Sequence, residues 1–280
     1  MEIAFLEGPI TRLFSCTNKK SKKIVWVHND ISLVFGKGIK AKLKKKLDKK
    51  VYSKYEKIIF VSKDNMRKFK QVYKEIRNKY LELVKKDIVY NYIEKNTILE
   101  KSKERPEIQF DKKMINFVSV ARLVPQKAID RLIRVHKELV NEGLLHQIYI
   151  IGDGPEKKKL EEMIREKGIQ ATFHLLGQKE NPYPYIMQAD YFCLLSQFEG
   201  YGMVLEEAKI LNKNIIITNT AAREAVEKYS KSIILENNEE KIFEGLKKVI
   251  KNYKKLEGQD IEVSYDNSKV LEKIEKIIEE

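Results

Sequence analysis

The alternation of short apolar runs with amphipathic helical segments from residue 114 onward constrains the fold most. The run MINFVSV at 114–120 is followed by a helical pattern that ends at Gly143. Further apolar runs, each followed by a helical segment, lie at 147–151, 171–177, 191–197, 214–220 and 232–236. Strands that alternate with helices form βαβ units, and their parallel sheet is covered on both faces. Residues 113 to about 255 are therefore predicted to form a complete doubly wound domain.

The first 100 residues repeat this pattern less completely. Four strands are predicted in EIAFLEG, KIVWVHND, EKIIFVS and DIVYNYI, which is few for an independent nucleotide-binding half. The polar segment 94–113 resembles a linker. The predicted division is a first domain at 1–105, a second at 106–258 and a C-terminal helix at 259–280 that packs back on the first.

Composition and charge limit the class of protein. The chain has 280 residues, of which 42% are hydrophobic, so it is globular. It has two cysteines, no apolar run of the roughly 20 residues that span a bilayer, and no basic leader, which fits a cytoplasmic protein. Lys and Arg exceed Asp and Glu by 55 to 41, and this net charge of +14 attracts polyanions or reflects a biased composition.

The segment FEGYGMVLEEA at 198–208 carries the most informative motif. Glu199 and Glu207 are separated by seven residues, with Gly200 and Gly202 directly after the first glutamate. The glycines permit close approach of the backbone to an anion, and the following helix adds its positive dipole end. Carboxylates accept paired hydrogen bonds from hydroxyl groups, which sugars and riboses offer. An ordinary helix start accounts for the acidic residues but leaves the glycines unexplained.

Two other loops follow predicted strands of the same sheet. Arg122 and Lys127 lie five residues apart in SVARLVPQKAIDRL, where two cations near a helix start suit a diphosphate. Solvated loop cations are the alternative. Gly152 and Gly154 in GDGPE permit a close backbone approach, or else form a strand-to-helix turn with Pro155 at the first helical position.

Together, FEGYGMVLEEA, SVARLVPQKAIDRL and IIGDGPE resemble the donor-binding half of the retaining glycosyltransferases of family 4. The resemblance implies an α/β, GT-B fold of two Rossmann-like doubly wound domains that face each other across a cleft. It implies that Arg122 and Lys127 hold a nucleotide diphosphate, that Glu207 binds the ribose, and that Glu199 contacts the donor sugar. The residues that would add contacts to the sugar and diphosphate are Gly152, Gly200, Tyr201, Gly202, Met203 and Val204.

The resemblance also bears on cofactors, and the sequence departs from the family pattern at one position. The family is generally metal-independent, so no cofactor is expected and the nucleotide-sugar is a substrate. The sequence has no His/Cys cluster and no Asp-x-Asp motif at a strand end. Ala128 stands where the family usually has glycine after the lysine, which leaves both cations in place.

His28 ends the predicted strand KIVWVHND and resembles the acceptor-side histidine of the family, close to the transferring sugar. A structural histidine is the alternative. Family members carry further βα units before this histidine, so the first domain is expected to be incomplete, with donor binding retained and transfer weakened.

The segment 38–54 is a basic amphipathic helix. Its apolar stripe consists of Ile39, Leu43, Leu47 and Val51. One interpretation is that the helix docks on an anionic membrane surface at the inner face of the cell membrane. The favoured interpretation is that the stripe packs in the core and the lysines are solvated.

The leading hypothesis is a retaining glycosyltransferase that moves a sugar from a nucleotide-sugar, expected to be a UDP-sugar, to a saccharide or lipid-linked saccharide in cell-surface polysaccharide synthesis. A non-catalytic donor-binding remnant would bind the donor without transfer, and a sugar-nucleotide epimerase of related fold would form product without an acceptor. A nucleic-acid partner is not expected, because the basic residues are not interleaved with aromatic ones.

Overall fold

The computed structural model describes residues 1–5, 8–18, 20–28, 31, 39–74, 85–253 and 267–279. Contacts divide the chain into two units. The first comprises Met1–Tyr92, Phe198–Tyr201 and Asp266–Glu280, and the second comprises Ile93–Gln197 and Gly202–Tyr265. Residues 93–105 therefore group with the second unit, whereas the sequence placed the boundary after 105. The loop that carries Glu199 groups with the first unit, although it lies within the second in sequence.

The first unit contains a four-stranded parallel sheet in the order β1-β2-β3-β4. Its strands are β1 (Glu2–Ala4), β2 (Lys23–Val27), β3 (Lys57–Phe60) and β4 (Lys85–Ile88). Its described helices are α1 (Pro9–Phe14), α2 (Ile39–Tyr52), α3 (Lys63–Lys74) and the C-terminal helix Asn267–Glu279. Strands β2 and β3 are buried along their whole length, as predicted for parallel strands covered on both faces. The C-terminal helix packs on this unit, where Lys273 donates to the carbonyl of Ile88 at 2.9 Å.

The second unit contains a six-stranded parallel sheet in the order β10-β9-β8-β5-β6-β7. Its strands are β5 (Ile115–Val120), β6 (His146–Ile151), β7 (Phe173–Leu175), β8 (Tyr191–Leu194), β9 (Asn214–Thr218) and β10 (Ser232–Leu235). This is the strand order of the Rossmann fold, in which chain direction across the sheet reverses between the first and fourth strands, here β5 and β8. The loops after β5 and β8 therefore flank the topological switch point, where α/β sheets bind their ligands.

The helices of the second unit cover this sheet. They are α4 (Lys95–Lys101), α5 (Ile129–Asn141), α6 (Lys157–Glu166), α7 (Tyr183–Gln188), α8 (Met203–Ile210) and α9 (Glu239–Lys251). The core is built from inward-facing residues of β5 and β6 and from the apolar face of α5, with Phe117, Ile133, Leu139 and Ile150 almost fully buried. The doubly wound domain predicted from the alternation is confirmed.

Four local predictions were wrong or incomplete. The predicted linker contains α4, which buries Ile98. Helix α1 was not predicted. The last strand of the first sheet lies at Lys85–Ile88 rather than 87–93, because it pairs residue for residue with β3, whose last residue, Phe60, is the partner of Ile88. The segment predicted as a helix after residue 220 is a short 3-10 turn at Ala221–Ala225.

Side chains from other elements bind the carbonyl groups at the end of the 3-10 turn. Lys209 donates to the carbonyl of Ala225 at 2.7 Å, and the Ser232 hydroxyl donates to that of Val226 at 2.9 Å. Tertiary contacts therefore override the helical propensity of AAREAVEKY.

Candidate functional site

The loop after β8 leads directly to Glu199, and its backbone is fixed from three sides. Three consecutive carbonyl groups each accept a hydrogen bond from a side chain on another element: Leu195 from Arg131 at 2.8 Å, Ser196 from Thr218 at 2.7 Å, and Gln197 from Asn237 at 2.7 Å. Arg131 also donates to the Asn237 side chain at 3.0 Å. Each satisfied carbonyl restricts the chain trace, so the approach to Glu199 is rigid before any ligand binds.

The same loop is joined to the loop after β5. The backbone N–H of Gln197 donates to the carbonyl of Gln126 at 2.9 Å. Gln126 lies in a 3-10 turn, Pro125–Lys127, between the two predicted diphosphate ligands. Arg122 is exposed and Lys127 is half-buried. The loops after β5 and β8 are thus joined by a hydrogen bond at the switch point.

Ala128, the departure from the family pattern, adopts the left-handed conformation, with φ 51° and ψ 39°. This conformation strains every residue with a Cβ and favours glycine. The turn therefore has the backbone conformation that the family's usual glycine would favour at this position. Helix α5 begins at the next residue. The alanine methyl group is buried, so packing offsets part of the strain.

Gly152 and Gly154 allow the loop after β6 to pack on the loop after β5. A Cβ on Gly152 would lie 2.0 Å from the carbonyl oxygen of Ala121, and one on Gly154 would lie 2.4 Å from that of Leu123. Close packing of backbone on backbone accounts for both glycines without a ligand. Pro155 precedes the helix rather than occupying its first position, because α6 begins at Lys157.

Helix α8 begins at Met203, as predicted, and Gly202 caps it with a φ of 76°. Met203 and Val204 are half-buried in the first turn. Glu207 is half-buried too, and burial raises the pKa of its carboxyl group. A carboxylate that is kept partly dry gains more from hydroxyl donors than one in water does.

Glu206, the neighbour of Glu207, lies on a different face of α8. It is 1% exposed and forms a 2.6 Å ion pair with Lys209 one turn later. Lys209 in turn donates to the carbonyl of Ala225. The two neighbouring glutamates therefore differ in kind: Glu206 anchors the helix to the 3-10 turn, and Glu207 lies on another face.

The loop Phe198–Tyr201 packs within the first unit, beside the end of β2. A Cβ on Gly200 would lie 2.2 Å from the carbonyl oxygen of His28, so no residue other than glycine fits without a shift. The ring of Tyr201 lies 5.1 Å from that of Tyr90. Glu199 itself is buried. His28, the predicted acceptor-side residue, is half-buried, and its ring lies 5.0 Å from that of Phe5.

Asn65 also belongs to this cluster, and the sequence analysis missed it. Its side-chain amide donates to the carbonyl of His28 at 3.0 Å, and the side chain is almost fully buried. The only available signal was the spacing Ser-x-x-Asn after β3, where the Ser62 hydroxyl accepts from the backbone N–H of Asn65 at 3.1 Å.

Only Val51 of the predicted apolar stripe of α2 packs against the core, so the favoured packing interpretation was wrong for the other three residues. Ile39 is 87% exposed, Leu43 60% and Leu47 55%. The helix instead buries Asp48, which accepts a 2.8 Å hydrogen bond from Arg12 of α1, and Tyr52. Two more exposed apolar side chains, Ile10 and Leu13, lie on α1.

No group of three His, Cys, Asp or Glu residues that could hold a metal ion occurs among the residues that the structure describes. Within the same part of the chain, no helix is long and apolar enough to cross a membrane.

A sequence profile described as glycosyl transferases group 1 matches residues 100–260, which is more than half of the chain. The chain belongs to this family. It is 29% identical over 214 residues to an uncharacterized glycosyltransferase of Methanocaldococcus jannaschii, covering 75% of this chain and 51% of the relative. It is 30% identical over 207 residues to an N-acetylgalactosaminyltransferase of Campylobacter jejuni that acts on a diphospho-undecaprenol substrate, covering 73% of this chain and 53% of the relative. The chain thus spans about half the length of these relatives.

Solved structures share the fold at low identity. Staphylococcus aureus TarM has a TM-score of 0.66 and 20% identity, covering 85% of this chain and 45% of that one. Anabaena HepE in complex with UDP-glucose has a TM-score of 0.64 and 15% identity, covering 83% of this chain and 63% of that one. These neighbours are GT-B glycosyltransferases, and the predicted α/β class with parallel sheets is confirmed.

Proposed function

We propose that this chain is a retaining glycosyltransferase that transfers a sugar from a nucleotide-sugar, a UDP-sugar, to a saccharide or lipid-linked saccharide in cell-surface polysaccharide synthesis. The observation that carries this proposal is the Gln126–Gln197 hydrogen bond at the switch point of a Rossmann-order sheet. It joins the loop with two cations to the loop that precedes Glu199. Relatives named for glycan synthesis and a neighbour bound to UDP-glucose support the same function.

The proposed donor site assigns one task to each group. Arg122, Lys127 and the N–H groups at the start of α8 bind the diphosphate and stabilise the negative charge that develops on it as the sugar leaves. Glu207 accepts hydrogen bonds from the ribose hydroxyls. Two side-chain cations already neutralise the diphosphate, so we propose that no metal ion is required.

A second group of residues is proposed to contact the sugar and the acceptor. Glu199 accepts hydrogen bonds from the donor sugar hydroxyls, and backbone groups of Gly200, Tyr201 and Gly202 add to them. His28 serves the acceptor side. In transfer with retention, the bond from the anomeric carbon to the UDP oxygen breaks and a bond to the acceptor oxygen forms on the same face. The departing diphosphate takes the acceptor proton, and no side chain serves as nucleophile in this scheme.

A transfer assay tests this function. Incubation with UDP-sugars and short saccharide acceptors should release UDP and form an α-linked product from an α-linked donor, as judged by the anomeric coupling in proton NMR. Donor binding without UDP release would favour the non-catalytic remnant. A changed donor sugar without acceptor would favour the epimerase.

We further propose that α1 and α2 dock on an anionic membrane surface, which brings the site to a lipid-linked acceptor at the inner face of the cell membrane. The exposed apolar set is Ile10, Leu13, Ile39, Leu43 and Leu47. Helix α2 carries seven lysines, and its single acidic residue, Asp48, is buried against Arg12. Exposed apolar side chains beside the exposed Lys44, Lys46 and Lys50 match an interface with anionic headgroups.

Vesicle sedimentation tests the docking. Vesicles that contain phosphatidylglycerol should bind the chain, and vesicles of phosphatidylcholine alone should not. Changing Lys44, Lys45 and Lys46 to Glu should abolish binding, and Leu43→Ser with Leu47→Ser should weaken it. The same charge reversal at the exposed Lys158, Lys248 and Lys251 of the second unit is the matched control. If the control variant lost vesicle binding equally, net charge alone would explain the effect, and the assignment of the membrane surface to α1 and α2 would be contradicted.

A further inference from the structure

We propose that Asn65 is a positioning residue that holds the Glu199 loop against the backbone of His28, and that it thereby sets the affinity for the sugar of the donor. The inference rests on the proposed function, and no part of the sequence motif contains Asn65. It follows from a chain of contacts inside the first unit.

The first contact fixes the backbone of His28. The Asn65 side-chain amide donates to the His28 carbonyl at 3.0 Å, and Asn65 is 2% exposed. The backbone of Asn65 is itself held at the start of α3 by the Ser62 hydroxyl at 3.1 Å. A buried amide on a capped helix start has little freedom, so the carbonyl that it holds is fixed as well.

The second contact transmits this position to the loop. Gly200 packs so closely on the His28 carbonyl oxygen that an added Cβ would lie 2.2 Å away, and the same Cβ would lie 3.6 Å from the amide nitrogen of Asn65. Gly200 therefore lies against both groups. Because Glu199 is bonded to Gly200, a shift of the His28 carbonyl moves the carboxylate-bearing residue.

A third observation argues that Asn65 is not there for stability alone. Its side-chain oxygen is buried and has no hydrogen-bond partner in the part of the chain that the structure describes. An unsatisfied buried acceptor lowers stability, and an apolar residue of the same shape would avoid that loss only by removing the donor to the His28 carbonyl. Asparagine is thus retained for its donor, whose acceptor is the His28 carbonyl.

The experiment measures binding of UDP, UDP-glucose and UDP-N-acetylglucosamine by calorimetry. The readout is the ratio of the dissociation constant of the better-bound UDP-sugar to that of UDP. Asn65→Leu keeps the branched shape and removes the donor. We expect UDP to bind this variant within about twofold of its affinity for the wild type, because the proposed contacts to UDP lie on the second unit. The ratio of the dissociation constant of the UDP-sugar to that of UDP should rise at least fivefold. Gly200→Ala, which strains the same contact from the loop side, should shift the ratio likewise.

The control is Gln71→Leu, the same kind of change at an exposed position of α3. It should leave both constants unchanged. An Asn65→Leu variant that melts cooperatively and keeps the wild-type ratio overturns the proposal. A shift of equal size with Gln71→Leu also overturns it. Failure of the wild-type chain to bind any of the three compounds would instead refute the proposed function, so the two failures are distinguishable.

Discussion

The side-chain amide of Asn237 donates a 2.7 Å hydrogen bond to the carbonyl of Gln197, two residues before Glu199. The next residue, Asn238, has a different role, because its side chain accepts from the N–H of Lys241 and caps α9. Asn237 therefore holds the loop before Glu199, and Asn238 caps α9.

This separation predicts opposite effects of the same substitution. Asn238→Ala should lower the free energy of unfolding by about 1 kcal/mol, the usual cost of a lost N-cap, and leave UDP affinity unchanged. Asn237→Ala should change stability less, because the residue is exposed, and weaken binding of the UDP-sugar several-fold. Denaturant titration and calorimetry on both variants measure the two effects. Weakened binding in Asn238→Ala alone would contradict the role assigned to Asn237.

Glu207 and Glu206 should respond oppositely to removal of their charge. Burial raises the pKa of Glu207, so the folded state disfavours its charged form, and the stability that its protonation provides is lost as pH rises through the folded pKa. Glu207→Gln should therefore raise the free energy of unfolding at pH 7 while it weakens UDP binding. Binding of UDP to the wild type should weaken in mildly acidic solution as Glu207 takes up a proton.

Glu206→Gln is the matched comparison. It removes the charge from a buried pair with Lys209 and should lower the free energy of unfolding by roughly 2 kcal/mol. Chemical denaturation measures both variants. If both glutamines stabilise the chain, or both destabilise it, the assignment of one glutamate to the ligand and one to the scaffold is wrong.

Two buried histidines should make the second unit sensitive to acid. His136 Nδ1 lies 2.8 Å from His146 Nε2, and His146 Nδ1 lies 2.7 Å from the carbonyl of Leu144. That carbonyl requires a proton on His146 Nδ1, so His146 Nε2 accepts from His136 and both rings are neutral. Burial lowers the pKa of His136 to about 3 and that of His146 to about 4.

The lowered pKa values of the two histidines mean that the folded state loses stability in acid. Unfolded histidines take up protons near pH 6.5 and the folded ones do not, so this stability is complete above pH 6.5 and is lost as pH falls toward 4. Each group contributes up to about 1.4 kcal/mol per pH unit. His136→Gln should therefore show a shallower loss of unfolding free energy between pH 6.5 and 5 than wild type. Parallel pH profiles for the two proteins would contradict neutral burial.

Ala128 and Ala208 offer a test of the turn that replaces the family's glycine. Ala128 has a φ of 51°, whereas Ala208 lies buried inside α8. Ala128→Gly relieves left-handed strain and should change the free energy of unfolding by less than about 0.5 kcal/mol or stabilise the chain. Ala208→Gly should cost about 1 kcal/mol or more. Thermal denaturation of both variants decides, and equal losses would show that Ala128 is not strained.

The sequence predicted the second unit well because its strands are buried on both faces and its helices are strongly periodic. It failed where a single distant partner decides the local structure. Helix α2 buries Asp48, which pairs with Arg12, and exposes Leu43 and Leu47, and no periodicity in α2 indicates that partner. The sequence predicted that the glycines of the motif permit close approach of the backbone to an anion. Gly200 is instead required by its contact with the His28 carbonyl, and these two residues are far apart in the chain.

A thermal-shift titration with UDP, GDP and ADP tests the proposed nucleotide-sugar site at the β5–β8 switch point. It should be run on wild type and Glu207→Ala, each with and without EDTA. A nucleotide at about 100 times its dissociation constant adds roughly 2.7 kcal/mol of apparent stability. We expect a clear shift with UDP that persists in EDTA and is lost in Glu207→Ala. No shift with any nucleotide, in a chain that melts cooperatively, would contradict the account.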